Sequence, residues 1–532
     1  MPTSALCPAA LIELDEPRPA LLRAVPEPSV SEAPYLEAVQ RYAGRRPGRF
    51  HVPGHGGGAG APTALGEALG SALALDVPSC IEGIDLGGHE TPLQRAERLA
   101  AATWGASRTW FLVNGASEAS HALCLALGQC EGSVVVQRNA HASTIHGLVL
   151  GGLRPVFVMP GMDDDLGVAH CVQAAELAAT LDRTPDATAA FVVSPTYFGA
   201  AADVRALADI CHERGVSLIV DEAWGAHFRF HDDLPQDALG AGADIVISGT
   251  HKLIGSLTQS AMLHLGHGAR APLDEAAVSR ALCLVRTTSP SSLLLGSLDA
   301  ARARMDAEGA QLAGRAVAEM RVVKREIRAV SGLNVLGDEQ VGLHGVAAYD
   351  PLRLAIDVGA AGLDGHAVAR DLLRIADINL ELVTSRVLIA HFGIGQPLAA
   401  AGRRLVKALQ AVLHDPDAPA AQSASRLTAS CFGDPVMAPR DAFFAAQDTI
   451  ALSDAAGRIS ADSIAVYPPG IANVLPGERF TPALVAYLLQ MRQRGCPLRG
   501  TWDEQTATVR VVADADADAG KLSSTTMPKD AR

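Results

Sequence analysis

Short β-branched runs recur through the first half of the chain, separated by stretches that read as helices. The runs are Thr109–Val113 (TWFLV), Ser133–Gln137 (SVVVQ), Pro155–Met159 (PVFVM), Ala190–Ser194 (AFVVS), Ser217–Asp221 (SLIVD) and Asp244–Ser248 (DIVIS). Between them lie helix-like segments such as EASHALCLALGQC and DVRALADICHERG. Strands alternating with helices predict an α/β fold, with a mainly parallel sheet covered on both faces. After residue 300 the pattern changes. A long Ala/Arg-rich helix, DAARARMDAEGAQLAGRAVAEMRVVKREIRAV, leads away, and strand-like pieces LRLAIDV and SRVLIAHF follow.

These patterns divide the chain into an N-terminal extension (1–45), a large domain (46–300) and a small α/β domain (301–417). A Pro/Ala/Ser-rich linker (418–434), a last unit (435–512) and a tail predicted to be disordered (513–532) complete it. No internal repeat is evident. The 532 residues exceed one small core, so several domains are expected. Aromatics make up only 4%, so Ala, Leu and Val must build most of the interior. The formal net charge of -14 argues against a nucleic-acid partner. No apolar run is long enough to span a bilayer, and the N-terminus lacks the basic start and apolar run of a secretory signal. The nine cysteines form no C-x-x-C pair and are odd in number, which reads as reduced thiols in a cytoplasmic protein and as no metal site.

The chemistry gathers at strand ends. Ligands of open α/β sheets bind at the carboxyl ends of the strands. SLIVD ends in Asp221, and DIVIS ends in Ser248 and runs into Gly249-Thr250-His251-Lys252. An acid and a lysine so placed suit pyridoxal phosphate. The carboxylate holds the ring nitrogen protonated, and the lysine holds the aldehyde as a Schiff base. After TWFLV, the sequence Gly115-Ala116-Ser117 opens a helix whose amides and dipole suit a phosphate, with Ser248 and Thr250 as supplements. No G-x-x-x-x-G-K-[ST] occurs, so a nucleotide P-loop is unsupported. His141, in RNAHAST after SVVVQ, stands where an imidazole would stack on the cofactor ring. His51 and His55, in HVPGHGGG, enclose Pro53 and Gly54, so a helical metal pair is not expected and a tight turn is.

Seven segments occur in an order that resembles the fold-type-I ornithine/lysine/arginine decarboxylases, in their short bacterial branch. They are HVPGHGGG, FLVNGASEASHA, RNAHASTIHGLVLGG, DEAWGAHFRFH, SGTHKLIGSLTQSAMLH, TTSPSSLLLGSLDAAR and YPPGIANVLPGE. The resemblance spans roughly residues 33 to 510. It implies an aspartate-aminotransferase-like fold with smaller α+β C-terminal domains, active sites shared across a homodimer, and decarboxylation of a basic amino acid, arginine first. It makes 46–300 the cofactor-binding domain and 435–512 a decarboxylase-type C-terminal domain. Lys252 matches the Schiff-base lysine, Asp221 the pyridinium partner and His141 the stacking histidine. Gly115, Ala116, Ser117, Ser248 and His251 match phosphate-side positions, and Ala223 and Trp224 follow Asp221 along the cofactor. His251 and Lys252 are the candidates to return a proton to the product carbon. The distal cation of the substrate should meet a carboxylate, with Glu82, Asp85 and Glu478 as candidates.

The chain also departs from that pattern. Trp224 stands where the family usually has a histidine, Gly56 replaces a lysine, Pro78-Ser79 replace Thr-Glu, and Ser292 replaces a tyrosine. These changes keep two rivals in view. One is an aminotransferase or oxidase acting on a basic amino acid, for which Arg386 in TSRVL offers an α-carboxylate clamp. The other is a non-catalytic regulatory paralogue.

Overall fold

The computed structural model describes residues 32–269, 271–413, 429–466, 471–501 and 507–514. Most of the predicted extension, most of the predicted linker and nearly all of the predicted tail lie outside the described residues.

A seven-stranded sheet carries the large domain. Its strands are β1 (Arg108–Leu112), β2 (Ser133–Gln137), β3 (Arg154–Val158), β4 (Ala187–Val193), β5 (Ser217–Asp221), β6 (Ile245–Ser248) and β7 (Ala261–Leu265), in spatial order β1-β7-β6-β5-β4-β2-β3. β2 to β6 run parallel to one another, and β7 runs antiparallel to both β1 and β6. The six runs read from the sequence fall on β1 to β6, displaced by no more than a few residues. β7 is not among them. Its sequence AMLHL has no β-branched residue, and its place between two strands imposes the extended form.

Side chains alternate across the sheet. Val134, Val136, Ile219 and Ile247 pack on one face with Leu123, Leu127 and Leu148. Val135, Val192, Leu218, Val220 and Val246 pack on the other with Leu177 and Leu207. The first face is covered by α1 (Gly115–Leu127) and α2 (Ala142–Gly151), which follow β1 and β2 directly. A one-turn helix, α3 (Thr250–Leu253), follows β6.

The long helix α4 (Ser292–Arg328) leads to the small domain. It starts seven residues before the Ala/Arg-rich segment, because the Ser291 side chain caps it by accepting from Leu294 N. Ser292, where a tyrosine was expected, accepts from Val77 N at 2.9 Å and donates to the Leu75 carbonyl at 2.8 Å, tying α4 to that loop. The small sheet holds β8 (Asn334–Val335), β9 (Leu354–Asp357), β10 (Leu382–Val383) and β11 (Val387–Ala390), all antiparallel, in order β8-β9-β11-β10. α5 (Gly365–Ala376) and α6 (Leu398–Leu413) pack with α4 around Ile356, Leu372, Leu388 and Leu409. A second tie joins the domains. Ala200–Ala201 pairs with Ala348–Tyr349, and Asp350 N donates to the Gly199 carbonyl at 2.8 Å.

The last unit has its own core around Phe480, Leu484, Leu488 and Val509. It meets the sheet domain through a buried ion pair. Arg138, one residue past β2, reaches both Glu478 oxygens at 2.6 and 2.8 Å, under Phe157 and Phe432. Removing one partner strands the other as an uncompensated buried charge. Glu478→Ala is therefore expected to cost about 3–5 kcal/mol, read as an earlier urea midpoint at unchanged slope. A loss below about 1 kcal/mol would mean that the pair holds nothing together. Among the described residues no helix is long and apolar enough to cross a membrane, and no metal-binding cluster occurs.

Candidate active site

β5 and β6 are adjacent and parallel, so Asp221 and the turn after Ser248 share one edge. Chain approach there is tight. A Cβ on Gly249 would sit 2.5 Å from the Ala223 carbonyl oxygen and 3.1 Å from Lys252 Cδ. The bare backbone of Gly249 lets the turn carrying Lys252 close against the turn after Asp221. Asp221 is itself fixed: its Oδ1 accepts from Ala223 N at 3.1 Å, and its carbonyl accepts from Ser194 N at 3.1 Å.

Lys252 has its pKa lowered from 10.5 to about 8. Desolvation is the main cause, opposed by the charge of Asp221 and reinforced by Arg353, with Glu381 opposing more weakly. An amine near 8 is largely a free base under mildly alkaline conditions and is ready to attack an aldehyde. The sign follows directly. Protonation blocks attack, so capture of pyridoxal phosphate by cofactor-free protein should speed up about tenfold per pH unit below that value. It should level off above about 8. A stopped-flow absorbance series checks this, and a rate still climbing far above that pH would contradict a depressed Lys252.

His141 caps α2: Ser143 N donates to its Nδ1 at 3.2 Å, so a neutral ring carries its proton on Nε2. As a whole the residue is exposed. Its pKa is lowered by desolvation in the cleft, against the pull of Asp221 and with the help of Lys252. Among the phosphate-side candidates the structure makes distinctions. The Gly115 amide already donates to the Gln259 carbonyl at 2.7 Å, so it is not part of an open cradle. Ala116 and Ser117 keep first-turn amides that have no acceptor inside the helix. The Ser248 hydroxyl is fully buried and has no hydrogen-bond partner. Thr250 Oγ1 accepts from Ser256 at 2.9 Å, and His251 Nδ1 donates to the Ser260 carbonyl at 2.7 Å. A phosphate at the start of α1, an aldehyde at Lys252 and a ring nitrogen at Asp221 would satisfy these groups together, so the residues present fit pyridoxal phosphate.

Trp224 is buried and forms the hub of the cleft. Lys252 Nζ lies 4.1 Å and Arg353 Cζ 4.3 Å from its ring centroid. Tyr197 packs on it at 5.2 Å and the edge of His391 at 5.3 Å. His391 Nε2 donates to the Lys252 carbonyl. Burial lowers the His391 pKa to about 4, with Arg353 adding to the effect, so the ring is neutral.

The acids named for the distal cation are disposed differently. Glu478 is committed to Arg138. Asp85 lines another cleft with Arg108 and Arg286, and Glu82 is exposed on the same loop. The carboxylates whose charge reaches Lys252 are Asp221 and Glu381. Arg386, offered as the α-carboxylate clamp, is bidentate to Asp357 at 2.9 and 3.0 Å and donates to the Asp165 carbonyl at 2.7 Å. The guanidinium that stands in the cleft is Arg353, which sequence reasoning passed over. Its only signal was a cation opening the apolar strand of LRLAIDV. His55, from the HVPGH turn, pairs with Asp76 at 3.1 Å, and His51 Nε2 lies 2.6 Å from the Tyr42 hydroxyl.

A mainly parallel sheet with an antiparallel β7, a lysine and an aspartate at adjacent strand ends and an antiparallel small domain define an α/β enzyme of the aspartate-aminotransferase type. The chain belongs to the Orn/Lys/Arg decarboxylase family. Residues 33–347 match the family's major domain, and residues 422–501 match its C-terminal domain. An arginine decarboxylase of Bacillus subtilis (strain 168) is 35% identical over 495 residues, covering 92% of this chain and 99% of that protein. An arginine decarboxylase of Bacillus anthracis is 33% identical over 489 residues, covering 91% and 98%. The structure of lysine decarboxylase A from Pseudomonas aeruginosa superposes with a TM-score of 0.76 at 21% identity, over 90% of this chain and 80% of that one, a likeness of fold.

Proposed function

We propose that the chain decarboxylates arginine to its amine and carbon dioxide with pyridoxal phosphate as cofactor. The observation that carries this reading is the placement of Lys252 and Asp221 at the ends of adjacent parallel strands, drawn together by the close approach at Gly249. The arginine decarboxylases that match it nearly end to end favour arginine over lysine or ornithine. When bound, the cofactor supplies an electron sink for the pair left as carbon dioxide departs. Asp221 keeps a proton on the ring nitrogen. Lys252 supplies the neutral amine that anchors the aldehyde. His141 covers the ring, and Ser248 with the Ala116 and Ser117 amides holds the phosphate. Trp224 walls the cleft and excludes water from it. Lys252, or His251 beside it, returns a proton to the product carbon.

Arg386, committed to Asp357, is not the carboxylate clamp that the aminotransferase rival would need, and product analysis separates the two readings. A homodimer is the assembly that goes with this reading. Buried Cys124, Cys171 and Cys211 are unpaired thiols, which fits the cytoplasm. Incubation with arginine, lysine and ornithine separately, with mass analysis, tests the reading. The amine of arginine is expected, and a keto acid or peroxide as main product would move the assignment to the rivals.

A further inference from the structure

Arg353 is a buried guanidinium, 2% exposed, whose three nitrogens have no hydrogen-bond partner. Such a group is costly to keep in a folded protein unless an anion meets it. Burial lowers its pKa. Asp350 is the main charge that attracts it, without a hydrogen bond: Asp350 Oδ1 is engaged by His227 at 3.3 Å and Leu352 N at 2.9 Å, and its buried Oδ2 has no partner.

The side chain is also aimed. Arg353 N donates to the Asp350 carbonyl at 3.0 Å, and Asp350 N in turn donates to Gly199. Gly199 has φ +98°, and a Cβ there would lie 2.6 Å from Arg353 Cβ. A residue without a side chain is therefore needed at 199 for the arginine stem to pass. The stem emerges against the Trp224 ring that Lys252 also touches.

We propose that Arg353 holds the α-carboxylate of the amino-acid substrate and thereby sets which end of a basic amino acid enters. This rests on the functional reading above. The substrate's amine must reach Lys252, and its carboxylate is one carbon further on, within reach of a cation on the same indole. A guanidinium binds a carboxylate through paired N–H donors. The same charge repels the distal cation of a basic substrate, which is thus turned away from the reacting end. After carbon dioxide leaves, the product has no anion to offer Arg353, so the residue favours its release.

The test uses holoenzyme carrying Arg353→Met or Arg353→Lys. Visible-absorbance titration compares arginine with the amine that lacks its carboxylate, and steady-state kinetics give KM and kcat. In Arg353→Met, arginine should bind at least about tenfold more weakly, while the amine binds as well as or better than before. Arg353→Lys should recover part of the loss, and it also serves should the methionine variant not fold. Parallel weakening of both ligands, or no change in either, overturns the assignment. If the unaltered protein releases no carbon dioxide from any basic amino acid, the functional reading fails, but the titration still reports on Arg353.

Discussion

Lys252→Ala is expected to abolish turnover and to leave the purified protein without the visible absorbance of bound cofactor. The lysine is placed by β6 and by the close approach at Gly249, and among the described residues no other amine shares its position beside Asp221 and Trp224. Alanine removes the nucleophile and the covalent anchor together. Phosphate contacts alone then hold the cofactor, so dialysis should strip it. The fold should survive, because the substitution removes a desolvated cation that stands beside a second one, Arg353. Circular dichroism and thermal melting check that point. Wild-type activity together with borohydride-reducible cofactor in this variant would refute the assignment.

Asp221→Ala should fold, bind cofactor more weakly and turn over at least about a thousandfold more slowly, roughly 4 kcal/mol of barrier. Its carboxylate is the anion whose charge raises the pKa of both His141 and Lys252 against desolvation. Without it the ring nitrogen loses the partner that keeps it protonated, and the electron sink weakens. A second effect follows with a definite sign. Lys252 loses its main favourable charge, so its pKa should fall further, and cofactor capture should level off at lower pH than in the unaltered protein. Near-normal turnover would show that another group holds the ring nitrogen.

The strand ends were legible because β5 and β6 are β-branched runs that stop abruptly at Asp221 and Ser248. A buried parallel strand leaves few other ways to write itself. β7 was not legible, because AMLHL is extended only through its neighbours. Glu478 was offered as a partner for the substrate's distal cation, since nothing nearby in the chain announces Arg138, 340 residues away. Arg386 and Arg353 show the same limit at the site. Each adjoins a strand of the small sheet, and only packing reveals that Asp357 takes the first while Gly199 lets the second reach Trp224. Trp224 was visible as a departure, but its role as the surface shared by two cations needed three dimensions.

The ion pair between Arg138 and Glu478 also imposes an order of events on synthesis. Its partners are 340 residues apart. At about 5–20 residues per second, a ribosome takes roughly 20–70 s to deliver Glu478 after Arg138 has emerged. Throughout that interval the nascent sheet domain holds a guanidinium without its carboxylate partner. Arg138 opens the loop that ends in His141, so this loop cannot settle until the final unit arrives. The cofactor pocket is therefore expected to be among the last parts of the molecule to be completed.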